Sequence, residues 1–165
     1  MGRPMTIQID SREKPQATQL IKEHFDKAGV KWFVSKLVVG DYASLDNPRF
    51  VIDRKQTLQE LCGNVGQQHE RFRAELIRAN DLGIKLVFLV EHSRNITTLS
   101  DVRHWNNPRL KISPCALSGM ELYKRLRTIE TKYSTQFLFC DKQRTGQTII
   151  QLLTQNIPEY GIERK

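Results

Sequence analysis

Residues 85–91, Lys-Leu-Val-Phe-Leu-Val-Glu, constrain the fold more than any other stretch of the chain. The apolar run between the two charged ends is short for a buried helix. It is also too continuous for a strand with one wet face. A run of this kind is a strand covered on both faces, which requires helical layers above and below a sheet.

The flanking segments supply those layers. Residues 6–10 alternate and read as a strand ending in Asp10. Pro15 opens a helical stretch with Leu20, Ile21, Phe25 and Ala28 at helical spacing, and Gly29 closes it. Residues 31–39 are strand-like. Residues 41–45 and 50–55 are extended, joined by the turn signal Asp46-Asn47-Pro48. Residues 57–81 have a helical pattern, with Gly63 and Gly66 as candidate breaks near its first turns. Residues 93–118 are irregular, with a short helix expected around 100–105. Gly119–Tyr133 reads as a helix, Gln136–Cys140 as a buried strand and 146–156 as a last helix ended by Pro158. This order predicts one α/β domain over residues 1–165, a mixed central sheet with helices on both faces.

Composition narrows the function. No apolar run reaches the ~20 residues of a membrane span. The first residues carry no apolar signal segment, and the three cysteines form no Cys-x-x-Cys pair, so a reducing cytoplasm is expected. There is no phosphate-binding loop and no dinucleotide fingerprint, so no nucleotide cofactor is expected. Lys and Arg number 26 against 18 Asp and Glu, a net charge of +8, which leans towards nucleic acid as partner.

The segment from Gly40 to Lys55 carries the chemistry. If residues 41–46 and 50–55 form a hairpin centred on Asn47, equal offsets place Asp41 opposite Asp53 on one side of the sheet. Lys55 shares the face of Asp53, and Arg54 points to the other. A bulge in the loop would shift this register and undo the pairing. Two carboxylates so close repel unless a cation sits between them. Oxygen donors suit Mg²⁺ or Mn²⁺, and with Lys55 beside them the set suits phosphodiester hydrolysis. A solvated charge cluster at a hairpin is the alternative that spacing alone leaves open.

Ile9-Asp10-Ser11-Arg12-Glu13, Val38-Val39-Gly40-Asp41-Tyr42 and Val51-Ile52-Asp53-Arg54-Lys55 stand in the order of the three motifs of XPF-type structure-specific nucleases. The chain resembles that family, which includes the archaeal Hef nuclease, over roughly residues 6–91. The resemblance implies a restriction-endonuclease-like fold; the chain departs from eukaryotic members in that no tandem helix-hairpin-helix domain is expected, so it looks like a stand-alone nuclease domain of bacterial or bacteriophage type. The resemblance also implies Asp41, Asp53 and the Arg54 carbonyl as metal ligands, Lys55 as catalytic lysine, Asp10 beside the metal and Glu13 as a supporting group. Arg12 and Arg54 would hold those carboxylates or a phosphate, with a structural ion pair the alternative for each and the favoured reading for Arg54, and Arg71 would contact the DNA backbone. The sequence departs from the pattern at Asp53, where the family has Glu, and at Gln59, which stands in the slot of its last Asp. His69-Glu70 also replaces the usual Gly before Arg71-Phe72. Glu60 neighbours Gln59 but points about 100° away on a helix, so it is not expected to fill that slot.

Between residues 103 and 132, seven basic residues including Lys111 face two acids. This stretch reads as a phosphate-tracking surface with Trp105 as a stacking group, or as a solvated face with Trp105 anchoring a loop. The apolar positions of the last two helices read as core, with a homodimer interface as the family alternative. The function expected is a metal-dependent DNA endonuclease acting on branched or flap DNA with single-stranded parts, in replication, recombination or repair. A Holliday-junction resolvase or restriction-type nuclease of the same fold, and a non-catalytic DNA-binding subunit, are the alternatives.

Overall fold

A computed structural model describes residues 5–92 and 95–157. Among the described residues six strands form one sheet: β1 (Thr6–Ile9), β2 (Lys31–Val34), β3 (Tyr42–Ser44), β4 (Asn47–Lys55), β5 (Lys85–Glu91) and β6 (Gln136–Cys140). Their order across the sheet is β2-β1-β3-β4-β5-β6. β1 and β2 are parallel, β3 is antiparallel to both β1 and β4, and β4, β5 and β6 are parallel. The five α-helices among the described residues are α1 (Pro15–Lys27), α2 (Leu58–Val65), α3 (His69–Asp81), α4 (Gly119–Tyr133) and α5 (Thr145–Gln155). Short 3₁₀ turns lie at Leu99–His104, Pro108–Lys111 and Lys142–Arg144.

Alternation along the two central strands sorts the core into two layers. Val51, Phe88 and Val90 face α2, α3 and α4, where Leu58, Leu76 and Leu126 pack on them. Ile52, Val87 and Leu89 face α1 and α5, against Phe25, Ile149 and Leu153. Phe88 is fully buried and stacks on Phe137, with centroids 4.9 Å apart. Burial of such a ring contributes about 2–3 kcal/mol.

Four expectations change. β2 ends at Val34 instead of running to residue 39, because its partner β1 ends at Ile9. Ser35 N–H takes the carbonyl of Ile9, and two residues on Leu37 N–H donates to the Asp10 carboxylate. Asn47 and Pro48 belong to β4, so the turn is Leu45-Asp46. The pattern over residues 57–81 is two helices. Gly66 ends α2, the N–H groups of Gly66 and Gln68 both take the Gly63 carbonyl, and Gln67 and Gln68 lie in the connection. The short helix near residue 100 is a 3₁₀ turn, and Pro158 lies outside the described residues.

Candidate active site

β4 ends over the face covered by α2 and α3. Its last residues put Asp53 and Lys55 on that face and Arg54 on the opposite one. A bulge does interrupt the hairpin, between Ala43 and Ser44. It lies on the turn side of Ala43, so Tyr42 still pairs with Ile52. Asp41, one residue beyond, donates its N–H to the Ile52 carbonyl at 2.8 Å, and its carboxylate accepts from Arg54 N–H at 2.8 Å. Gly40 makes this approach possible. Its φ of +72° suits glycine, and a Cβ there would overlap Val51 Cγ1.

The cleft above has a volume of about 360 Å³, and its lining includes Asp10, Glu13, Asp41, Asp53, Lys55 and Arg71. Lys55 Nζ lies 3.5 Å from Asp53 Oδ1 and 3.9 Å from Glu60 Oε2. The rings of Phe72 and Phe88 hold it from below, with centroids 5.5 and 5.7 Å from Nζ. Asp10 is buried, and both its oxygens accept from Arg12, Nε at 2.8 Å and Nη2 at 3.2 Å. On the far face Arg54 is clamped between Glu13 at 3.0 Å and Glu91 at 2.9 Å. The Tyr42 hydroxyl donates to Glu13 at 2.9 Å, and Thr145 to Glu91 at 2.5 Å. Arg54 is thus a structural ion-pair centre through its side chain.

Electrostatics divides the carboxylates. Desolvation, then the charges of Asp53 and Glu13, push Asp41 well above the usual carboxylate range. Desolvation pushes Asp53 up to about 6; Lys55 opposes this and Glu75 adds to it. Burial works against the charge on Lys55, but Asp53, Glu60, Glu75 and Asp41 outweigh it and raise its pKa. Burial would also raise Asp10, yet the hydrogen bonds from Arg12 and Leu37 lower it overall. Asp53 therefore opposes the ionisation of the adjoining Asp41, and both carboxyls are desolvated, an arrangement a hard divalent cation relieves. No three His, Cys, Asp or Glu side chains among the described residues converge as metal ligands. The pair fits an ion that keeps water or substrate oxygens in its remaining positions.

The structure brings Asp10, Arg12, Glu13, Asp41, Asp53, Arg54, Lys55 and Arg71 to this cleft. It does not bring Lys111 or Trp105. Lys111 is exposed on the Pro108–Lys111 turn. Trp105 is half-buried against the core, edge-on to His92, which is the packing of a loop anchor. The reading of Glu60 is reversed. Gln59 turns away to hydrogen-bond Asn107, and Glu60 faces Lys55 while its other oxygen accepts from Gln56 N–H. Glu75 is the acid that sequence reasoning missed. Gln68, Arg71, Phe72 and Glu75 follow the i, i+3, i+4, i+7 spacing of one helix face and all line the cleft, a signal that Arg71 already carried.

Residues 9–153 match the ERCC4 domain. The chain belongs to the ERCC4 domain family. Among solved structures it is similar to XPF from Aeropyrum pernix, with a TM-score of 0.64 and 17% identity over 96% of this chain and 68% of that one. It is also similar to XPF from Aeropyrum pernix in complex with DNA, at 0.63 and 18% over 93% and 64%. The chain thus spans about two thirds of the length of these ERCC4-type chains. At this identity the likeness is one of fold, the mixed six-stranded α/β sheet of an XPF nuclease domain. Comparison with curated proteins gives no match. No helix of the described residues is long and apolar enough to cross a membrane.

Proposed function

We propose that this ERCC4-family chain is a metal-dependent DNA endonuclease that hydrolyses phosphodiesters next to a branch or a single-stranded segment. The observation that carries the reading is the Asp41–Asp53 pair with Lys55 3.5 Å from Asp53 at one end of the sheet. Asp41, Asp53 and the Arg54 carbonyl hold Mg²⁺ or Mn²⁺. When bound, the ion polarises the scissile phosphate and offsets the charge that builds up during attack.

The chain's own groups do the rest. Lys55 stays protonated, held so by four surrounding carboxylates, and faces the reacting phosphate as a fixed positive charge. Glu60 and Phe72 fix where its ammonium sits. Asp10, ionised and tied to Arg12, adds a charge at the edge of the cleft. Arg71, exposed on α3, meets the DNA backbone. Glu13 acts through Arg54 and Tyr42 as a positioning group for β3 and β4. Arg12 supports Asp10, and its half-open side chain still reaches a phosphate. A nuclease domain working in replication, recombination or repair is the role this supports.

Cleavage of labelled forked, flapped, four-way and linear DNA with Mg²⁺ or Mn²⁺ tests the proposal. Metal-dependent cutting by the wild type that Asp53→Asn lowers by about 10²–10³ or more is expected. Binding without cutting of any substrate would sink it and favour a non-catalytic subunit. Equal cutting of linear and branched DNA would favour a restriction-type enzyme.

A further inference from the structure

A second cavity, of about 390 Å³, lies between α3 and α4 beside the cleft. That is within the ~300–1,000 Å³ of small-ligand pockets. Its floor is apolar: Val65, Phe72, Ile129 and Tyr133. Its rim is basic: Arg73, Lys124, Arg125 and Lys132, with no carboxylate among the lining side chains. The rim chains are exposed, whereas Ile129 and Tyr133 are half-buried. Lys132 Nζ sits 5.5 Å from the Tyr133 ring, so charge and ring form one wall.

The cavity and the catalytic cleft share Asn64 and Phe72. Phe72 is the same ring that carries Lys55, 5.5 Å from Nζ. A ligand here therefore lies one side chain away from the catalytic lysine. Asn64 Oδ1 at this boundary is buried and has no hydrogen-bond partner. It is an acceptor suited to an N–H group of a ligand.

An apolar floor under a cationic rim is complementary to a flat apolar ring carrying phosphates. In a duplex the base faces are covered by stacking, so a base reaches such a pocket only when unpaired. We infer that the α3–α4 groove receives an unpaired nucleobase of a strand that continues into the cleft, its phosphates on the basic rim. The inference rests on the nuclease reading and gives it a source of preference for DNA with single-stranded parts.

Fluorescence anisotropy tests this on the whole chain without divalent metal. The probes are a labelled oligothymidylate of about 12 nucleotides, within the ~4–16 nucleotide range of single-strand sites, and an abasic strand of equal length. Thr128 is exposed on the groove wall, so Thr128→Trp fills the groove from outside the core. The wild type is expected to bind the thymidylate about tenfold more tightly than the abasic strand, and Thr128→Trp to bring the ratio to about one. Circular dichroism checks that the variant is folded. Equal affinity of the wild type for both strands overturns the inference, as does a ratio that survives the substitution. A wild-type dimer that Thr128→Trp dissolves in sedimentation also overturns it, in favour of a second copy as occupant. No cleavage is read, so failure of the nuclease reading shows in the cleavage assay and failure of this inference in the affinity ratio.

Discussion

At the floor of the cleft, Asp41 takes up a proton more readily in the folded chain than its ordinary value of 3.8 allows, because desolvation and then Asp53 and Glu13 oppose its charge. The sign of the stability effect follows. A carboxyl raised on folding destabilises the fold fully above its folded pKa, and the penalty vanishes below the unfolded value. Asp41→Asn removes that penalty and still offers an oxygen to Arg54 N–H. In EDTA at pH 8 the variant should melt about 3–6 °C higher than the wild type. The difference should disappear near pH 3.5 while cleavage is lost at every pH. A lower melting temperature at pH 8 would mean that the carboxylate is not repelled there. Arg54 gives the opposite case. It is buried and ion-paired to Glu13 and Glu91, so Arg54→Ala leaves Glu91 charged and unmatched on the α5 side. Breaking such a pair costs about 3–5 kcal/mol, and thermal melting should fall by about 10 °C.

Among the elements, the β3–β4 hairpin decides whether the two carboxylates meet, and Gly40 sets its start. Gly40→Ala forces a side chain into a left-handed backbone and against Val51. It should destabilise the fold by about 2–4 kcal/mol and reduce cleavage more than the stability loss alone explains, because Asp41 moves with residue 40. Urea melts beside cleavage rates check this; unaltered cleavage in the folded variant would show that the residue 40 backbone does not place Asp41. Much of this was legible in the sequence. The apolar run of β5, α4 from Gly119 to Tyr133, and β6 have the boundaries read from residue pattern alone. Local pattern offered Gly63 and Gly66 as breaks, and α2 stops at Gly66, but it did not show where an extended run loses its partner, as at Val34. The site divides in the same way. Asp53 and Lys55 sit on β4, and Asp10 and Asp41 directly adjoin the ends of β1 and β3, strands whose alternation is written in the chain. Glu60 meets the lysine and Glu75 meets Asp53 from helices, and only the packing of α2 and α3 on the sheet shows which helical acid faces in.

For the molecule as a whole, the net charge of +8 matters less than where it lies. Arg71 lines the catalytic cleft, and Arg73, Lys124, Arg125 and Lys132 line the groove that shares Asn64 and Phe72 with it. Two adjoining concavities thus present one cationic track, while the paired acids Asp41 and Asp53 form a local negative focus beneath it. Each cation that meets a duplex phosphate adds about 0.9 to the slope of log affinity against log salt. If all five engage a duplex, the slope is about −4.5, and affinity should fall by about 500-fold between ~50 and ~200 mM salt. Lys124→Glu with Lys132→Glu should lower the slope by about two, whereas Lys111→Glu, on a turn outside both concavities, should leave it nearly unaltered. Salt titration of binding by anisotropy, with divalent metal withheld so that the DNA stays intact, measures all three slopes. An equal drop from Lys111→Glu would mean that the DNA runs over the irregular segment instead, and that the cationic track is not the path by which a strand approaches Asp41 and Asp53.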